Sequence, residues 1–279
     1  MPWTPLHHKP ISYGSPSADF AFWFLVVLHV IPAAVAPIAA IVAFRARKGE
    51  ALHLLAGKLF VWAMAALAVT GIVIDVIRLS WFVDENHTKY AGYAMPSTYP
   101  ARLGFLYAGL CVLYMLREAT PPRVFRAART GPSVFDVWAP RVLLALGALL
   151  FCLIVVRYNP WTGALWMIVT FAALVFLVGR GRTSLTTRAQ GVAHHRFGMA
   201  FLAAFSWWGA LQGFGPAIGV AIKGADPSTL PYLGNRPGSF SPFIFLFLVA
   251  WAPCFGLAAW LVRRFRRRSV EATPSALGN

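Results

Sequence analysis

Charged residues are scarce in this 279-residue chain, and acidic residues are the scarcest of them. Only 12% of the residues are charged, about half the share of a typical soluble domain. Nine acidic residues stand against 25 lysines and arginines, which gives a net charge of +16. Acids are nearly absent from the apolar runs, and this disfavours an ion-coupled transporter because membrane ion pathways depend on buried ionisable groups.

Cysteine is also rare, and no Cys-x-x-Cys pair occurs. Cys111, Cys152 and Cys254 all fall inside apolar runs. This pattern excludes a disulfide framework, covalent c-type haem attachment and a cysteine-held iron–sulfur cluster. Glycine-rich nucleotide loops, His-Glu-x-x-His and Gly-x-Ser-x-Gly are missing too, so nucleotide-dependent enzymes, zinc proteases and serine hydrolases are not indicated. The sequence assigns no catalytic residue.

Long apolar runs dominate instead, and 58% of the residues are hydrophobic. A helix that spans a bilayer needs about 20 apolar residues. Seven runs approach this length: Phe20–Phe44, Leu54–Phe82, Leu103–Leu116, Val142–Val156, Leu165–Val178, Phe197–Ile222 and Phe243–Val262. The sequence therefore predicts an all-α bundle of about seven transmembrane helices. It forms one domain over residues 20–268, with a polar segment over 1–19 and a disordered tail over 269–279.

Basic residues cluster in every second loop, at residues 45–58, 117–141, 180–196 and 263–268. Loops rich in lysine and arginine stay on the cytoplasmic side of a membrane. The pattern predicts an outside N-terminus, a cytoplasmic C-terminus and a place in a bacterial inner membrane. Because the positive charge flanks membrane spans, we interpret it as an orientation signal and not as a nucleic-acid surface.

Two segments share a His-x-x-x-Gly frame near the start of an apolar run. One is His53 with Gly57, and the other is His194 with Gly198. Histidine is rare and costly inside a bilayer, so two copies at one depth suggest a ligand pair. Haem b iron takes two axial ligands, and His53 with His194 satisfies the depth condition. His195 competes for the second position, since neighbouring helix residues point about 100° apart.

The flanking residues allow both a cofactor site and an ordinary helix contact. Lys58 and Arg196 are candidates to neutralise haem propionates. Gly57 and Gly198 offer close approach to a flat macrocycle or to another helix. The histidines themselves have an alternative role, facing headgroups and water at the interface. His29 lies about ten residues, or about 15 Å, into the first run and therefore near the predicted midplane of the membrane. No other histidine lies at its level, so we weigh a structural hydrogen bond against a cofactor role there.

The segments Leu52–Phe60 and Ala193–Met199, together with a membrane histidine before them, resemble an uncharacterised family of bacterial membrane proteins. That family has a domain of unknown function and carries stretches similar to LHR-x-x-G-R-x-Y and H-R-R-W-M. Leu54, Lys58 and Phe60 depart from the first stretch, and the resemblance covers about residues 20–210. It implies a polytopic fold whose histidine placement is reminiscent of b-type membrane cytochromes.

These observations lead to one favoured function and two alternatives. We expect a haem-b protein that passes electrons within the membrane, with a quinone or another membrane subunit as partner besides the lipid bilayer. The first alternative is a non-catalytic structural or assembly subunit of a larger membrane complex. The second is a small-molecule transporter.

The loop charges generate a topological prediction. Reporter fusions at Asn279 and within residues 83–100 are expected to report opposite sides of the membrane, because five predicted spans, an odd number, lie between these two positions. A compartment-sensitive pair of reporters, active in either the cytoplasm or the periplasm, measures this. Reports from the same side would overturn the seven-span arrangement.

Overall fold

The computed structural model describes residues 15–81, 99–120, 132–157, 163–183, 185 and 187–223, and it is all-α over these ranges. Side chains of α6 are described as far as residue 210. Within these ranges lie six helices: α1 Pro16–Arg45, α2 Ala51–Trp81, α3 Tyr99–Ala119, α4 Val134–Arg157, α5 Gly163–Thr183 and α6 Arg188–Lys223. They coincide with the first six predicted runs, each extended by several residues. The seventh run, both terminal segments and the predicted outer loops lie wholly or mostly outside the described residues.

Four helices, α1, α2, α4 and α5, are long and apolar enough to cross a membrane. Large apolar side chains cover their outer surfaces, including Trp62 and Val156. A bilayer accepts such surfaces, whereas water does not. The chain is therefore an integral membrane protein, as the sequence predicted.

Helix α1 has clear boundary signals at both ends. The Ser15 hydroxyl accepts a hydrogen bond from the Ala18 N–H at 3.2 Å, and Pro16 occupies the first helical position. The following turn contains Gly49 with φ of 90°, a left-handed conformation that glycine adopts without steric cost. This turn directs α2 back along α1, and the two helices form an antiparallel hairpin.

Helix α3 lies at the centre of the bundle and contacts α2, α4, α5 and α6. Its Tyr107, Cys111 and Met115 side chains are fully buried. The Tyr107 hydroxyl donates to the Leu143 carbonyl of α4 at 3.1 Å. Because neighbouring helices shield α3 from lipid, it tolerates tyrosines and glycines, and this explains its short apolar run in the sequence.

One end of the bundle carries the basic loops and is called the basic end below. It comprises the C-termini of α1, α3 and α5 and the N-termini of α2, α4 and α6. Four charged residues form a buried network there. Arg117 contacts Glu118 and lies 2.9 Å from Asp136, while Arg182 lies 2.9 Å from Glu118 and 3.3 Å from Asp136. The network joins α3, α4 and α5 with two charges of each sign.

A second ion pair joins α2 to α3 near the opposite end. Arg102 contacts the buried Asp75 carboxylate at 3.2 Å. The spacing of Asp75 and Arg78 on α2 would also allow a pair within one helix. The Arg78 guanidinium lies over the Phe22 ring of α1, 5.5 Å from its centroid, and its charge also acts on Asp75. The three helices are thus tied together by charged groups as well as by apolar contacts.

The ion network generates a prediction about stability. Arg182→Met should lower the free energy of unfolding by about 3–5 kcal/mol, because Glu118 and Asp136 would then share one remaining cation in a buried site. Thermal unfolding of the detergent-solubilised protein, followed by circular dichroism, measures the change. Arg180→Met, at an exposed position two residues earlier, is the matched control and should have little effect. Equal losses in the two variants would contradict a role for the network.

Candidate functional site

His53 is fixed by the end of the preceding helix. It is the third residue of α2, and its Nδ1–H donates to the Ala43 carbonyl at 2.9 Å. Ala43 lies in the last turn of α1, where carbonyls have no partner within the helix. The hydrogen bond therefore satisfies a helix terminus and orients the imidazole at the same time.

His195 repeats this arrangement on the other side of the basic end. Its Nδ1–H donates to the Ala119 carbonyl at 2.6 Å. Ala119 is the last residue of α3, so its carbonyl also needs a donor from outside the helix. Two histidines thus use the same nitrogen to cap the C-termini of two different helices.

These two hydrogen bonds decide which nitrogen is left for a ligand. A carbonyl only accepts, so Nδ1 carries the proton and Nε2 of each neutral imidazole keeps its lone pair. Histidine ligands of metals are commonly held by a backbone carbonyl in this way. His53 and His195 therefore present the tautomer that a metal ligand requires.

His195 lies within electrostatic range of His53. His195 precedes the apolar part of α6. Burial lowers its pKa, the Ala119 hydrogen bond opposes this, and His53, Arg196 and Lys48 lower the pKa further as like charges. The imidazole accordingly stays neutral at neutral pH. Neutral imidazole is the form that binds a metal ion.

His194 faces a different part of the bundle. It is buried, and a Cβ placed on Gly181 of α5 would come within 2.9 Å of its Nδ1. Burial, followed by the charges of Arg182 and His195, lowers its pKa to about 4. Its Nε2 has no hydrogen-bond partner within the described part of the chain. His194 thus packs beside the ion network, and the geometry favours His195, the competing candidate, as the neighbour of His53.

The two glycines of the repeated frame have different surroundings. A Cβ on Gly198 would lie 2.5 Å from the Ala119 Cβ, so this glycine permits close contact between α6 and α3. A Cβ on Gly57 would meet no atom within 4 Å. Gly57, one turn after His53, leaves open space beside α2. The contact between α6 and α3 explains Gly198. Of the two glycines, only Gly57 leaves space into which a flat macrocycle would fit.

The cations near the histidines include the expected Arg196 and one further residue, Lys48. Lys58 is exposed on α2. Arg196 is half-buried and acts electrostatically on both His195 and Lys48. Lys48 was not among the predicted site residues, yet its Nζ donates to the carbonyls of Ala43 and Phe44. The only signal for Lys48 in the sequence is its place in the basic turn between the first two runs.

His29 is held within the α1–α2 hairpin. The Thr70 hydroxyl donates to the Ala66 carbonyl at 2.7 Å, so the Nδ1–H of His29 donates to Thr70 at 3.0 Å. A Cβ on Gly71 would lie 3.1 Å from the imidazole Cε1. Of the two roles weighed for His29, the structure shows the hydrogen bond between helices.

The comparisons with known proteins leave the site to be interpreted from its geometry. No family model, no curated protein and no solved structure matches this chain. Within the described ranges, no group of three or more histidine, cysteine or acidic side chains is arranged to hold a metal ion. A haem iron is held by only one or two protein side chains, so this absence does not bear on haem.

The contrast between the two glycines can be tested directly. Gly198→Ala should lower the free energy of unfolding by about 1–3 kcal/mol, because the new methyl group would press on Ala119. Gly57→Ala should leave stability unchanged or raise it by up to about 1 kcal/mol, since alanine favours the helix and meets open space. Thermal unfolding in detergent measures both. A loss at Gly57 as large as that at Gly198 would contradict the described packing.

Proposed function

We propose that this membrane protein binds haem b at the basic end, where His53 and His195 would hold it, and passes electrons within the membrane. One observation carries the proposal. Two histidines from different helices each fix Nδ1–H on a helix-terminal carbonyl and keep the Nε2 lone pair for another partner.

The surroundings fit the chemistry of this group. When bound, haem would supply one-electron redox chemistry. Gly57 leaves space beside the His53 side of α2, and Lys48 and Arg196 supply positive charge where propionates need counter-charges. These features support haem more directly than a bare metal ion, which usually takes more than two protein ligands.

Partner and location belong to the same proposal. The low content of charged groups in the spans suits a hydrophobic electron donor or acceptor such as a quinone, or another membrane subunit. The basic loops favour a bacterial inner membrane with the basic end toward the cytoplasm. A scaffold subunit is the competing function, because the same two histidines would stabilise the bundle as carbonyl caps without any cofactor.

The absorption spectrum of the purified protein tests haem ligation. Protein produced with ample haem should show a Soret band, and the α and β bands should sharpen on reduction. His53→Ala and His195→Ala should each abolish or convert this spectrum, because each removes one axial ligand. His29→Gln and His194→Gln are matched controls and should retain it, since neither faces the proposed pair.

Two outcomes would overturn this assignment. If the unaltered protein binds no haem, the scaffold function replaces the cytochrome function. If His194→Gln abolishes the spectrum and His195→Ala does not, a haem is present but its second ligand is His194. Unfolding of haem-free protein separates the roles further, because loss of a carbonyl cap alone lowers stability by only about 0.5–2 kcal/mol.

A further inference from the structure

A groove of about 240 Å³ runs along the outer surface of the α1–α2 hairpin, next to the basic end. All eight residues that line it are apolar: Val35, Ile38, Ala39, Val42, Leu52, Leu55, Ala56 and Leu59. Ala39 and Ala56 are buried and form the floor, while the leucines on the rim are exposed. The groove exists because alanine side chains end at Cβ between larger neighbours.

The size and position of the groove restrict what can occupy it. Its volume is below the roughly 300–1,000 Å³ of pockets that enclose whole small molecules. It is open along the surface of two helices that are apolar enough to span the membrane. A hydrocarbon chain of the surrounding bilayer meets both conditions, because it is narrow and already lies against these helices.

Positive charge lies where the groove reaches the basic end. The α1 residues of the groove follow helical spacing, and Arg45 is the next position on that face, three residues after Val42. It is exposed and lies about 4.5 Å further along the helix. Arg47 in the adjoining turn pairs with Glu50 at 3.5 Å, and Lys48 donates to carbonyls of α1. A headgroup above the groove would therefore meet Arg45 as its main cation.

We propose that this groove binds an acyl chain of an anionic phospholipid, with the lipid phosphate held by Arg45. The apolar lining recognises the chain, and Arg45 selects the charge of the headgroup. A helix from a second copy of the protein would need the apolar lining but not Arg45. Charge complementarity is therefore the argument for a lipid. The site does not depend on haem binding.

Native mass spectrometry of delipidated protein tests the proposal. Phosphatidylglycerol and phosphatidylcholine with identical acyl chains are titrated separately, and bound lipid is counted. The unaltered protein should bind phosphatidylglycerol several-fold more tightly. Arg45→Gln should weaken phosphatidylglycerol binding roughly fivefold and leave phosphatidylcholine unchanged. Arg180→Gln, an exposed arginine in the last turn of α5, is the matched control and should have no effect.

The groove itself is tested with two further variants. Ala56→Phe fills the floor and should abolish binding of both lipids. Leu55→Ser changes only the rim and should weaken binding of both roughly three- to fivefold. It keeps the test valid if Ala56→Phe does not fold. Leu149→Ser in α4 is the matched control for Leu55→Ser, because Leu149 and Leu55 are 65% and 66% exposed.

Several results would overturn the lipid site. Equal affinity of the unaltered protein for the two lipids would remove the argument from charge. Equal effects of Arg45→Gln and Arg180→Gln would show a general surface attraction. Unchanged binding in Leu55→Ser would exclude the groove. A dimer that disappears in Leu55→Ser would identify a second copy of the protein as the occupant.

Discussion

The carbonyl groups at helix ends impose the constraint on which the basic end depends. The last four carbonyls of each helix have no partner within the helix, and a low-dielectric environment makes unpaired polar groups costly. Here Ala43 of α1 and Ala119 of α3 receive their donors from imidazoles of α2 and α6. Each bond joins two helices and also fixes a histidine tautomer. The stability of the bundle and the availability of two Nε2 atoms therefore have one physical origin.

The buried ion network also stabilises the basic end, through charge pairs between helices and not through helix capping. Glu118, Asp136 and Arg182 are almost completely buried, so their charges must neutralise one another where water is scarce. The network sets α5 against α3 and α4, and Gly181 of α5 then lies against His194. This packing places His194 beside the ion network, while the neighbouring His195 caps the C-terminus of α3. Two adjacent histidines of α6 thus have different surroundings.

The outer surface of the α1–α2 hairpin has a contrasting character. Its groove has small side chains at the centre and larger apolar side chains on the rims, and a basic turn follows at one end. Such a surface suits contact with lipid and not packing within the protein core. The inner face of the same hairpin holds His53 and His29 through hydrogen bonds between its two helices. One hairpin thus carries a polar site toward the bundle and an apolar groove toward the bilayer, as expected of helices at a membrane boundary.

The number and positions of the six described helices followed from the sequence because hydrophobic length is a local property. A run of about 20 apolar residues has few alternatives to a spanning helix. The central place of α3 did not follow, because burial by neighbouring helices permits polar residues that weaken the local signal. Tyr107 and Glu118 show this most clearly, since both are fully buried in a helix with a short apolar run.

The candidate site also combines features that follow from local sequence with features that depend on the neighbouring helices. The sequence by itself determined an integral membrane protein and a set of histidines at the basic end, because composition and spacing along one helix suffice for both. It treated Gly57 and Gly198 as equivalent, and it did not indicate Lys48 as a site residue. Only the tertiary structure decided that Gly198 contacts Ala119, that Gly57 faces open space and that His195 lies within electrostatic range of His53. The physical reason is that each of these facts depends on which helix lies opposite, and helix pairing is not encoded in the period of any single run.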